Sequence, residues 1–154
     1  MKRSTILLLL MGLMALQASA YKQESINITV NGQQRNMVVF TPNTLPAKFV
    51  VTYLRSDGNT WDIGGVKDQN FVIKTIDEMA SRYDIDKDRV YWSGFSMGSM
   101  LIHHCIANMQ DKIAAFAPTS GIQFSEQPWN NCKKPVTPAK VFVTRYDGEV
   151  PIFS

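Results

Sequence analysis

Apolar and polar residues alternate over Ile26-Asn27-Ile28-Thr29-Val30 and again from Gln34 to Phe40, with Asn31-Gly32 near the turn between them. Period-two alternation on both sides of an Asn-Gly pair predicts a β-hairpin. A Pro-containing loop, Thr41 to Ala47, leads into Phe49-Val50-Val51-Thr52-Tyr53-Leu54, a continuous apolar run of the kind expected for a buried parallel strand. Arg55 to Gly65 is rich in Gly, Asp and Asn and reads as a loop carrying Trp61. Asp68 then stands where a helix cap belongs, and Val72, Ile76, Met79, Ala80 and Tyr83 recur on one helical face. Past a polar turn, Asp84 to Asp88, comes a strand over Arg89–Ser93 and a helix from about Met97 to Met109. A short buried strand over Ile113–Ala117 follows, then an irregular stretch from Ser125 to Pro138 and a last strand over Val141–Val143. Strands alternating with helices predict an α/β fold, a mostly parallel sheet with helices on both faces, entered through the N-terminal hairpin.

The first twenty of the 154 residues stand apart from this pattern. Lys2-Arg3, an apolar Ile6–Leu16 and Ala18-Ser19-Ala20 have the three parts of a secretory signal peptide. The run is too short for a typical membrane span, and no later apolar run is long enough for one. The residue directly after the cleavage site is Tyr21 rather than a cysteine, so no lipoprotein anchor is expected. Residues 21–154 are then a single domain at most. Export also changes two other readings. The net charge of +3 loses Lys2 and Arg3, leaving 14 basic against 13 acidic side chains, and no basic run supports nucleic-acid binding. Cys105 and Cys132 are the only cysteines, and an oxidising compartment favours a bridge between them over two buried thiols. Asn27-Ile28-Thr29 fits a glycosylation sequon, which matters only in a eukaryotic secretory host.

The chemistry centres on Gly94-Phe95-Ser96-Met97-Gly98, set between an apolar strand and a helix. In that context G-x-S-x-G reads as a nucleophile elbow, which lifts a serine hydroxyl above a sheet on a sharp turn. The small residues two before and two after let strand and helix cross closely. The bland alternative is a small-residue turn with a spectator serine. An elbow serine requires a base, an acid that orients the base, and an oxyanion hole. Asp147, in a loop just past the last strand, meets the order and position of the acid, although an Asp beside a Gly is also a routine turn residue.

Four segments resemble secreted esterases: Phe49 to Gly65, Asp86 to Met100, Lys112 to Gly121, and Asn131 to Pro135. The group they resemble contains feruloyl esterases, acetylxylan esterases and polyhydroxybutyrate-depolymerase-like enzymes. The resemblance implies an α/β-hydrolase fold, no cofactor or metal, and an ester substrate, either a plant cell-wall polysaccharide ester or a polyester. It makes Ser96 the nucleophile, the Met97 backbone N–H an oxyanion donor and Asp147, in Tyr146-Asp-Gly-Glu-Val-Pro151, the triad acid. Trp61 matches a tryptophan lining the substrate cleft, where its other reading is a loop aromatic capping the core.

The departures from that pattern are equally specific. The family places a strand ending in a His-Gly oxyanion loop, and a helix, before the Phe49 strand. Here Pro46-Ala47-Lys48 runs straight into Phe49, and no His-Gly occurs anywhere. The family histidine lies well downstream of the acid, whereas His103 and His104 are the only histidines. Seven and eight positions after Ser96, they lie roughly 10–12 Å along a helix from it, beyond the roughly 3 Å reach of a general base. Their directions differ by about 100°, a poor metal pair, so one is expected to face the core and the other the surface. The chain therefore reads as a truncated and internally deleted α/β-hydrolase with impaired activity. Its sheet should be incomplete, with a gap or an exposed edge. A catalytically dead remnant, or a binding module on an esterase scaffold, is the alternative.

Overall fold

A computed structural model describes residues 21–43, 49–121 and 140. The expected leader over 1–20, Cys132, the Val141–Val143 strand and Asp147 lie outside the described residues.

The hairpin forms where the alternation places it. Strand β1, Tyr21–Val30, pairs antiparallel with β2, Gln33–Pro42, and Val30 opposes Gln33 across a two-residue turn. Asn31 (φ 50°) and Gly32 (φ 81°) both lie in the left-handed region, as a type I′ turn requires. One face buries Ile26, Ile28, Val30, Met37 and Val39, and the other carries Val38 and Phe40.

The Phe49–Leu54 run departs from expectation. Strand β3 covers only Val51–Leu54 and pairs antiparallel with β2, Phe40 opposite Val51 and Met37 opposite Leu54. A parallel partner requires a crossover of a dozen or more residues, and only residues 43–50 separate β2 from β3. Nor is the strand buried. Leu54 and Thr52 turn inward, while Phe49, Val51 and Tyr53 remain 59%, 38% and 63% exposed. Tyr21, Phe40 and Tyr53 stack edge-to-face at 5.3 and 5.5 Å along that outer face and line a shallow apolar groove.

Strand β4, Tyr91–Phe95, pairs in parallel with β5, Ala115–Thr119, and makes no ladder with β3. The described strands thus form a three-stranded and a two-stranded sheet, with one parallel pairing against two antiparallel ones. Among the described residues the sheet is therefore mixed rather than mostly parallel, with the break falling between β3 and β4.

Helix α1, Lys67–Arg82, packs across the inner side. Phe71 and Met79 enter the hairpin core, and Val72 enters a second core built from helix α2, Met97–Cys105, the 3₁₀ turn Ile106–Asn108, and β5. Leu54 and Trp61 pack against both. Complete burial of Met37, Val39 and Phe71 is worth about 1.5–3 kcal/mol each. Through Val72, α1 shares that second core with α2. Tyr91 and Phe95 of β4 are exposed. No helix of the described residues is long and apolar enough to cross a membrane.

Asp68 does not cap α1. The N-cap is Val66, and the carboxylate that accepts the Lys67 N–H, at 3.0 Å, belongs to Asp62. Asp68 instead pairs with Arg35 of β2 at 2.6 Å, both side chains 2% exposed. Arg35 also donates to the Arg55 carbonyl at 3.2 Å and lies 4.1 Å over the Phe71 ring, while Asp68 Oδ2 accepts the Asp62 N–H at 2.6 Å. Removing one partner of such a pair strands a buried charge, at a cost of about 3–5 kcal/mol. Arg35→Met alone is expected to lower the urea-derived unfolding free energy by that order, and Arg35→Met with Asp68→Leu by much less. Equal losses in the single and double variants would contradict this account.

Candidate active site

Strand β4 alternates up to the site. Tyr91, Ser93 and Phe95 face outward, while Trp92 and Gly94 face α2. The chain then reverses at Ser96, with φ 52° and ψ −115°. A non-glycine residue in such a conformation costs of order 1–3 kcal/mol and persists only when its surroundings fix it. Here they do: the Ser96 N–H donates to Thr119 O at 2.9 Å, and Ser96 O accepts the Met100 N–H at 3.1 Å, closing the first turn of α2. The Ser96 hydroxyl makes no capping hydrogen bond to the helix that it starts. The Met97 N–H is the first of that helix and has no intrahelical acceptor by position.

The two glycines of the motif have different tasks. A Cβ on Gly94 would sit 2.6 Å from the Gly98 carbonyl carbon and oxygen and 3.0 Å from Ile102 Cδ1, so strand and helix cross where no side chain fits. Gly98 has open space around its own Cβ position. A third glycine, which the motif did not single out, is Gly121. A Cβ there would meet Ser96 O at 2.5 Å and Ser99 Cβ at 2.7 Å. It follows Ser120, itself at φ 55°, and its carbonyl accepts a long 3.4 Å hydrogen bond from the buried Ser99 hydroxyl. The chain leaving β5 is thus pressed against the elbow. A Ser-Gly pair closing a short buried strand is the sequence signal for this contact.

The histidines differ from the expected core-and-surface split. Both are half-buried, and each meets a backbone group in a different loop. His103 hydrogen-bonds the Gly121 backbone; burial pushes its pKa below the ordinary 6.5, and that bond partly offsets the shift. His104 Nε2 donates to Gly65 O at 2.8 Å. Trp61 is partly buried against both core clusters, and its loop carries Asp62. Cys105 is a free, fully buried thiol in the structure, and the expected bridge partner Cys132 lies outside the described residues. Burial, reinforced by the charges of Asp68 and Asp62, pushes the Cys105 thiol up to about 12. Asp147 is likewise outside the described residues, but Lys140, seven positions earlier, accepts the Phe116 N–H of β5 at 2.9 Å.

No protein-family profile matches the chain. Over 75 residues it is 52% identical to the bifunctional acetylxylan esterase/xylanase XynS20E of Neocallimastix patriciarum, a match covering 47% of this chain and 11% of that protein. Two solved structures from Staphylococcus aureus share its fold, each at TM-score 0.56 and 14% identity. One is the fluorophosphonate-binding serine hydrolase FphF with substrate bound, matched over 77% of this chain and 64% of its own. The other is the S-formylglutathione hydrolase FrmB as apoenzyme, matched over 75% and 63%. The chain thus spans about a tenth of the curated relative and just under two-thirds of each structure. Its fold is of the α/β-hydrolase type.

Two measurements test the geometry around the elbow. Gly94→Ala forces a Cβ against the Gly98 carbonyl and is expected to destabilise the protein by about 1–3 kcal/mol, the cost of overpacking a tight contact; a thermal midpoint unchanged from wild type would refute the close crossing. The second concerns pH. Because the folded state holds His103 below 6.5, the unfolded chain takes up a proton first as pH falls. The contribution from a neutral His103 is therefore full above pH 6.5 and is lost as pH drops through 6.5 toward the folded value. Stability of wild type should fall between pH 7 and pH 5 more steeply than that of His103→Gln, and parallel pH profiles would rule out the buried neutral imidazole.

Proposed function

We propose that this chain carries the nucleophile of an exported serine esterase that removes acyl groups from plant cell-wall polysaccharide esters. The observation that supports this most directly is Ser96 at positive φ between β4 and α2, with its hydroxyl free of the helix cap. In this reading Ser96 Oγ attacks the ester carbonyl and its proton passes to a general base. The oxyanion that forms is stabilised by donors that include the Met97 N–H. Collapse expels the alcohol and leaves an acyl-serine, which water hydrolyses to release the acid and restore the hydroxyl. Asp147 orients the base, and Trp61 borders the ester cleft. Acetylated or feruloylated xylan is preferred to a polyester because the curated relative is an acetylxylan esterase. Export rests on the leader pattern over residues 1–20.

Neither histidine of the chain is assigned as the base. Both sit on α2, and His104 is already committed to the Gly65 carbonyl. A serine with no base in reach stays protonated and weakly nucleophilic, and the loss of one oxyanion donor costs roughly a hundred- to a thousandfold in turnover. The 154-residue chain is therefore expected to react slowly with a fluorophosphonate probe at Ser96 and to hydrolyse p-nitrophenyl acetate, methyl ferulate and acetylated xylan near background. Ser96→Ala should remove the labelling. Grafting the oxyanion strand and the C-terminal segment of a close relative should raise turnover, again in a Ser96-dependent way. A probe that labels other residues but never Ser96, before or after grafting, would sink the esterase reading. Fast Ser96-dependent turnover by the ungrafted chain would mean that the base lies within it.

A further inference from the structure

The loop from Trp61 to Gly65 is held from two directions by bonds that converge on five residues. On one side, the Asp62 N–H donates to Asp68 Oδ2 at 2.6 Å, and Asp68 is locked to Arg35 of the hairpin sheet. The Asp62 carboxylate then accepts the Lys67 N–H at 3.0 Å, so the same residue fixes the start of α1. Ile63 N–H closes back on Trp61 O at 3.0 Å. A Cβ on Gly65 would run into the Asp62 carboxylate, so the loop passes its own anchor with no room for a side chain. On the other side the contact comes from the helix that begins at the elbow: His104 Nε2 reaches the Gly65 carbonyl at 2.8 Å, across 39 positions of sequence. Because a carbonyl only accepts, Nε2 carries the proton in this contact.

From this arrangement we infer that His104 is a positioning residue: it fastens the Trp61–Gly65 loop to the nucleophile helix, so that the loop and Ser96 keep one fixed relation. The alternative is that His104 merely fills a half-buried site. The geometry separates the two, because a space-filling role asks for the ring's volume, whereas positioning asks for an N–H at the place of Nε2. The arrangement also gives the adjacent histidines distinct tasks. About 100° apart on one helix, they reach different loops, His103 toward Gly121 after β5 and His104 toward Gly65 before α1. The functional weight of this contact rests on the esterase reading, in which Trp61 borders the ester cleft: the loop then sets the distance between the cleft wall and the attacking oxygen.

Hydrogen exchange read by mass spectrometry on the whole chain tests the contact without any turnover, so its outcome is independent of whether the chain is an esterase. The variants are His104→Leu, which keeps bulk and removes the donor, and His104→Gln, whose amide N–H₂ can take the place of Nε2. Loss of one hydrogen bond is worth about a fivefold change in local opening. His104→Leu is expected to speed exchange of peptides covering residues 61–68 about fivefold while leaving peptides of β1 and β2 unchanged, and His104→Gln is expected to restore most of the protection. Unchanged exchange over 61–68 in His104→Leu overturns the inference. So does equal acceleration in the Leu and Gln variants, or acceleration spread evenly over the hairpin, since either result reduces His104 to a packing residue.

Discussion

The buried ion pair between Arg35 and Asp68 is the constraint on which the rest of this fold hangs. It links the middle strand of the hairpin sheet to the first turn of α1, and it does so where water is excluded. Burying two charges is seldom a net gain in stability over a well-packed apolar pair. What the pair supplies is placement. Arg35 has a fixed planar fork, used here on a carboxylate, a carbonyl and the face of Phe71. Asp68 spends its second oxygen on the Asp62 backbone. With these bonds made, α1 has one position on the sheet, and the loop before it has one path. Phe71 then fills the hairpin core while Val72, its neighbour, fills the core under the elbow. One helix thereby joins two sheets that share no ladder.

The elbow depends on this placement indirectly and on close backbone contact directly. The strain at Ser96 is offset by its N–H bond to the Thr119 carbonyl, by the first turn of α2, and by glycines at the two points where neighbouring backbone would meet a side chain. The serine is thus shaped by β4, α2 and the end of β5 together, which a five-residue motif cannot convey. The two adjacent histidines extend the same helix outward to the flanking loops, and α2 becomes the element that relates everything around the serine.

Local signals were legible wherever the cause was local. Asn31-Gly32 specified its turn because few other residue pairs adopt two consecutive left-handed conformations. Gly94-Phe95-Ser96-Met97-Gly98 specified strand, turn and helix because small residues and a serine satisfy steric demands within one turn. The direction of β3 was misread for an identifiable reason: a continuous apolar run says that both faces avoid charge, not which neighbour it pairs with or what covers it. The short connection from β2 was the better guide. Arg35 and Asp68 gave no signal, since their meeting across 33 positions follows from how α1 lies on the hairpin. Asp68 was read as a cap because an Asp at a helix start usually is one, and Asp62, five residues before Lys67, took that task through a turn that spacing alone does not reveal. The histidines were placed correctly on their helix, but their partners are carbonyls of distant loops, and sequence carries no mark of a backbone acceptor.

The outer face of the strands, with Phe49, Val51, Tyr53, Tyr91 and Phe95 open to solvent, has a thermodynamic consequence of its own. Apolar surface that is already hydrated in the native state adds nothing to the heat capacity gained on unfolding. The transition should therefore carry a smaller heat-capacity step, and a shallower denaturant slope, than chain length alone would suggest. A smaller step flattens the curve of stability against temperature, so cold weakens this fold less than it weakens a domain of equal length with less exposed apolar surface.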